Sequence, residues 1–160
     1  MTLLSKEYWG PHLWVILHTL SEKSGQFKLL LQENDEAHAW IGLIRCLVDT
    51  MPCAKCVSHY KKFCLKHNIQ TLLSLRGSLR KEWLQEFWHG LHNEINKEND
   101  KEAFDKANLS SKYNDRLVFQ HSLSCFYRMT SYGVETGNLK LLGVKNATKQ
   151  IELLRRYYSL

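Results

Sequence analysis

Proline is nearly missing from this chain of 160 residues, with only Pro11 and Pro52 present, so long stretches are free to be helical. Equally missing is any apolar run near the ~20 residues that cross a bilayer. The opening Met1-Thr2-Leu3-Leu4-Ser5-Lys6-Glu7 lacks a charged head followed by an apolar signal segment. These absences predict a soluble, unexported protein with no membrane partner. No β-hairpin signature, internal repeat or low-complexity tract occurs either. With 44% hydrophobic and 24% charged residues, the composition excludes disordered, collagen-like and disulfide-stapled classes. One domain of this length buries roughly 70% of its unfolded surface without help from metal or cross-link. Its five cysteines therefore need another explanation. In an unexported chain thiols stay reduced, so a disulfide there points to catalysis or redox sensing rather than scaffolding.

Acidic residues are the minority, 16 against 22 Lys and Arg, for a net charge of +6. The basic pairs Lys61-Lys62, Arg80-Lys81 and Arg155-Arg156 are scattered, which suits solvated helix faces better than a phosphate track, and nucleic acid is not an expected partner.

Apolar periodicity predicts an all-α chain. Pro11 opens a first helix over about 11–23, on which Trp14, Leu17 and His18 share a face at i, i+3 and i+4. The polar stretch Gln32–Glu36 offers caps for a second helix carrying Ala37, Trp40, Ile41, Ile44, Leu47 and Val48, and Pro52 ends it. Cys53-Ala54-Lys55-Cys56 begins a third. The fourth, about 79–97, has the clearest pattern, with Leu84, Phe87, Trp88, Leu91, His92 and Ile95 on one side. Lys97–Glu102 is a solvated exit. Weaker helices are expected near 115–130 and 147–158, with Gly133 and Gly137 in the loop between them.

Two cysteines spaced by two residues at a helix start can close a small redox-active ring, and the helix end favours a thiolate. The same spacing is half a zinc site. Cys53, Cys56, Cys64 and His67 would complete a Cys3His set for a noncatalytic, zinc-stabilised helical adaptor, although Cys64 follows Cys56 more closely than zinc sites usually loop out. An inert pair is the third alternative. On the fourth helix His92, Asn93 and Asn96 bring an imidazole and two amides to the buried side, where each polar group needs a partner. A lone histidine there would be an ordinary core residue; the three together suit a polar, planar ligand.

Three clusters then occur in order: Gly10, Trp14, Leu17, His18; Pro52, Cys53, Cys56, His59; and His92, Asn93, Ile95, Asn96. Over residues 8 to about 101 the chain resembles the Erv/ALR family of FAD-linked sulfhydryl oxidases. The resemblance implies a four-helix bundle with a short fifth helix over residues 1–104, followed by a helical C-terminal extension over 105–160 packed on or extending the same domain. It implies noncovalent FAD, contacted by Gly10, Trp14, His18, His59, Trp88, His92, Asn93, Asn96 and Tyr113, with Lys97 and Lys101 toward its phosphates, and no metal.

The resemblance further implies a catalytic pair in which Cys53 exchanges with substrate thiols and Cys56 adjoins the flavin, electrons passing to O2 to give H2O2. Met51 stands where the family has an aromatic residue before the proline, and Phe87 with Trp88 beside it where the family has tryptophan. No second cysteine pair offers a shuttle, so a thiol partner, a small protein with its own Cys-x-x-Cys, is expected to reach Cys53 directly, with Cys53 open to solvent and Cys56 covered. Cys46, Cys64 and Cys125 read as small buried hydrophobes. The resemblance also implies a homodimer and, through the Trp-Gly-Pro opening shared with short viral members, a large-DNA-virus origin. The expected compartment is cytoplasmic, a host cytoplasm or virion, rather than the mitochondrial intermembrane space.

Overall fold

A computed structural model describes residues 2–160; Met1, part of the segment read for a leader, lies outside the described residues. Among these are seven α-helices and no strand: α1 (Lys6–Lys23), α2 (Leu30–Cys46), α3 (Ala54–Leu65), α4 (Ser78–Glu98), α5 (Leu109–Lys112), α6 (Arg116–Glu135) and α7 (Leu141–Tyr157). The all-α class is as expected, and no helix is long and apolar enough to cross a membrane. One hydrophobic cluster draws Leu17 from α1, Trp40 from α2, Phe63 from α3, Trp88 from α4, Phe126 from α6 and Ile151 from α7. The last two helices thus share the core of the first four.

α1 packs against α4 on one side and α6 on another, while α7 lies along α2. The α2–α7 pair is antiparallel. Gly143 near the start of α7 sits against Asp49, Gln150 against Gly42, and Tyr158 beyond the end of α7 against Glu36. A Cβ at Gly143 would collide with the Asp49 Cβ, so that glycine serves close helix approach, whereas one at Gly42 would meet only the flexible end of Gln150.

Several helix boundaries differ from the sequence reading. α1 begins at Lys6, where the Ser5 carbonyl accepts the Tyr8 and Trp9 amides, and Pro11 lies in its second turn. The proline is tolerated because it is exposed, so the carbonyl it leaves unpaired can bond water. α2 starts at Leu30, which places the supposed caps inside the helix; Glu33 and Glu36 are buried rather than solvated. α6 runs through Gly133, where the Leu139 side chain packs on the bare backbone, and the turn falls instead on Gly137 at φ +75°. α7 starts at Leu141, six residues early, because Val144 and Ala147 already belong to its buried stripe.

Arg80, read as part of a solvated pair, is fully buried. Its guanidinium meets Glu36 at 2.7 Å and donates to the Leu75 carbonyl at 2.7 Å and the Leu72 carbonyl at 3.4 Å. Tyr158 donates its hydroxyl to Glu36 and accepts from the Trp40 indole at 2.9 Å, and the Gly25 amide donates to the same carboxylate at 2.9 Å. The charge is buried because its partners are built in. Arg80→Met leaves Glu36 uncompensated and is expected to cost roughly 3–5 kcal/mol in urea unfolding; a loss no larger than that of a surface pair, at most about 1 kcal/mol, would show that the pair does not anchor α2 to α4.

Candidate active site

Pro52 stops the turn after α2, and Cys53 becomes the N-cap of α3 with extended backbone, φ −147° and ψ 106°. Its Sγ accepts the Cys56 amide at 3.2 Å and is joined to Cys56 Sγ in a disulfide with Cα atoms 5.2 Å apart. The pair therefore sits on the free amides and positive end of the helix, which stabilises a thiolate at Cys53 when the bond opens. Both cysteines are half-buried against the core, and exposure falls on Ala54 and Lys55 between them. The expected contrast of an open Cys53 and a covered Cys56 is absent, because the N-cap position tucks Cys53 in beside its partner.

The zinc alternative fails on geometry. Cys53 and Cys56 are bonded to each other, Cys64 lies at the far end of α3, and His67 turns its Nδ1 to the Phe63 carbonyl at 3.0 Å. No group of three or more His, Cys, Asp or Glu side chains among the described residues could hold a metal ion. The remaining thiols are half-buried rather than fully buried. Burial pushes Cys46 up to about 11, and its Sγ donates to the Gly42 carbonyl at 2.8 Å; burial also raises Cys64. Cys125 lies 3.6 Å from His121 Nε2 on α6.

A second constellation forms where α1, α4 and α5 converge. Trp14 and His92 stack with ring centroids 4.1 Å apart, and His18 stacks on Tyr113 at 4.5 Å. His18 Nε2 and His92 Nδ1 are 3.2 Å apart, one donating and the other accepting. Burial lowers His18 to about 3, and burial followed by the charge of Lys112 lowers His92 to about 4. Both rings are thus neutral at pH 7, and each keeps one donor and one acceptor nitrogen for such a bond. Tyr113 is brought in by α5, which Ser110 ties to Glu22 on α1 at 2.8 Å; Gln85 on α4 donates to the same carboxylate at 2.6 Å.

Asn93 and Asn96 lie beside this cluster with their amides already engaged. Asn93 accepts the Phe104 amide at 2.8 Å and donates to the Phe104 carbonyl at 3.0 Å, while Asn96 donates to the Glu102 carbonyl at 3.2 Å. His89 also reaches the Phe104 carbonyl. These bonds clamp the segment after α4, where Asp100 turns the chain at φ +52°. His89 and Phe104 escaped the sequence reading, as did Lys112, whose ammonium sits 4.3 Å over the Phe104 ring. Its position beside Tyr113 was the available signal. Lys97 and Lys101 are exposed, Lys101 close enough to help lower His92. Gly10 faces open space, with nothing within 4 Å of where a Cβ would stand.

Two of the expected cofactor residues carry buried polar atoms with no hydrogen-bond partner: Trp88 Nε1 and His59 Nε2. His59 Nδ1 is held by Glu98 at 2.9 Å, and Nε2 lies 3.7 Å from Glu94, beyond hydrogen-bond distance. Orphaned buried atoms cost stability and suit a ligand that completes them. Flat aromatic faces, neutral imidazoles and the nearby Lys101 and Lys112 fit a planar ring system linked to phosphates, and FAD therefore suits the residues present.

The model of the Erv1/Alr family matches residues 11–114. No curated protein and no solved structure shows a significant match.

The two depressed histidines set a pH dependence. Unfolded histidine protonates near 6.5, whereas folded His18 and His92 do so only near 3 and 4, so below about pH 6.5 the unfolded chain binds more protons. Stability is expected to fall as pH drops from about 6.5 toward 4. Thermal melts of the His18→Gln, His92→Gln double variant over pH 7 to 5 should show a smaller drop than the parent; equal slopes would show that other groups carry the dependence.

Proposed function

Because the chain belongs to the Erv1/Alr family of FAD-linked sulfhydryl oxidases, we propose that it forms disulfides in a thiol-bearing partner protein and delivers the electrons to O2, giving H2O2. The observation that carries this reading is the Cys53–Cys56 disulfide on the positive end of α3. A substrate thiolate attacks Cys53 Sγ, the bond to Cys56 breaks, and Cys56 leaves as thiolate. A second substrate thiolate then attacks the substrate sulfur of the mixed disulfide and releases Cys53, whose thiolate the Cys56 amide and the helix end stabilise. The net change is two substrate thiols oxidised to one disulfide and one enzyme disulfide reduced to two thiols.

When bound, FAD supplies the two-electron acceptor that returns the cysteine pair to the disulfide and hands the electrons on. Trp14, His18, His92 and Tyr113 would form its flat walls, with Trp88 Nε1 donating to it, His59 Nε2 donating to or accepting from it and Lys101 and Lys112 near the phosphates. The protein's part is to hold the ring, shield it and present the cysteines. A homodimer, if formed, uses a surface other than the faces of α1 and α2 that α6 and α7 cover.

Cys53→Ser and Cys56→Ser are each expected to abolish dithiothreitol oxidation while the purified protein stays yellow, with absorbance near ~450 nm. Normal turnover in either variant would remove the pair from the reaction. Trp88→Phe tests the pocket separately. Losing the orphaned donor offsets part of the cavity cost in the flavin-free protein, while flavin retention should weaken by roughly 5–10-fold, the worth of one net hydrogen bond. Unchanged flavin release would place the ring elsewhere.

A further inference from the structure

Between Asp49 and Glu82 the chain carries no Asp or Glu, while Lys55, Lys61, Lys62, Lys66, Arg76, Arg80 and Lys81 all fall in that stretch. Four of these find an acid elsewhere in the fold: Lys66 pairs with Glu94, Arg76 with Glu33, Arg80 with Glu36 and Lys81 with Glu22. Lys55, Lys61 and Lys62 have no carboxylate within 4.0 Å among the described residues. All three are on α3, the helix that starts at the redox disulfide, and all are exposed.

Lys55 and Lys62 also line an open groove of about 370 Å³ between α3 and α4, together with Ser58, His59, Lys66, Glu94 and Glu98. Its two acids are already engaged, Glu98 by His59 at 2.9 Å and Glu94 by Lys66 at 3.0 Å. The charge left uncompensated is positive, and it begins at Lys55, one of the two residues between the cysteines.

Resting on the oxidase reading above, we propose that this groove is the docking track for the substrate protein, and that its occupant is an acidic segment flanking the substrate cysteine. Lys55 and Lys62 are seven residues apart on one side of the helix, about 10 Å along its axis. A polyproline-II segment advances about 3.1 Å per residue with three residues per turn, so carboxylates three residues apart share one side of it and match the two ammonium groups. Lys55 engages the acid nearest the reacting sulfur and Lys62 the next one. Such a track raises encounter rate and selects partners by charge, while small dithiols, which do not reach past the disulfide, are indifferent to it.

The test has two arms. Fluorescein-labelled peptides with a Ser-x-x-Ser centre and flanks that are acidic, neutral or basic are titrated with the full chain and read by anisotropy. The corresponding Cys-x-x-Cys peptides are compared as oxidation substrates by kcat/KM. The acidic peptide is expected to bind best, with a preference that shrinks between low and physiological salt. Lys62→Glu should cut acidic-peptide binding and kcat/KM by about 10-fold and leave dithiothreitol turnover unchanged. Lys149→Glu, the same charge change on exposed α7, should do neither. Equal binding of the three peptides, or equal effects of Lys62→Glu and Lys149→Glu, overturns the docking track. Absence of dithiothreitol oxidation by flavin-loaded parent protein overturns the oxidase reading instead, and the binding arm still decides whether α3 takes acidic segments.

Discussion

Burying Arg80 against Glu36 is the constraint around which the bundle is arranged. Neither charge reaches water, so each has to be answered by protein: the pair itself, the Leu72 and Leu75 carbonyls, the Gly25 amide and the Tyr158 hydroxyl. Those partners come from α4, α2, the segment between α3 and α4, the turn after α1 and the end of α7. A misplaced segment leaves a charge unpaired in low dielectric, which costs more than most packing errors. The network thereby fixes how the C-terminal helices sit on the first four.

That arrangement sets the place where α1, α4 and α5 meet. Once Glu22 has collected Gln85 and Ser110, Tyr113 is delivered to His18, and Trp14 to His92. Burial keeps both imidazoles neutral, Lys112 adds to the effect on both rings and Lys101 adds to it on His92. Neutral rings and unpaired cations in one region make a site that accepts a flat group with an anionic tail, and the unsatisfied Trp88 and His59 nitrogens lie on residues of the same expected set.

The redox end obeys a different rule. At α3 the helix terminus supplies electrostatic stabilisation for sulfur, and the helix itself carries no acid. Carboxylates close to the pair would oppose thiolate formation, and Lys55 between the two cysteines favours it. Exchange chemistry and attraction of an acidic partner then follow from the same distribution of charge.

Much of this was legible in the chain. The helical class, the cysteine pair at a helix start and the grouping of Trp14, His18 and His92 follow from local spacing, because periods of three and four residues put side chains on one face whatever the helix packs against. Helix ends were less legible. Pro11, the Gln32–Glu36 stretch and Gly133 were read as boundaries from their intrinsic preferences, and the fold overrode all three: an exposed carbonyl, a buried Arg80–Glu36 pair beside an Arg76–Glu33 pair whose arginine is exposed, and a leucine laid over a bare backbone. The same holds for the amides of Asn93 and Asn96, which are engaged by a loop up to eleven residues away. Sequence alone determined which chemistry the chain carries, since residue type and spacing set it. Only the tertiary structure decided which polar groups are satisfied, because a hydrogen-bond or charge partner is chosen by proximity in space, and that depends on every helix being packed at once.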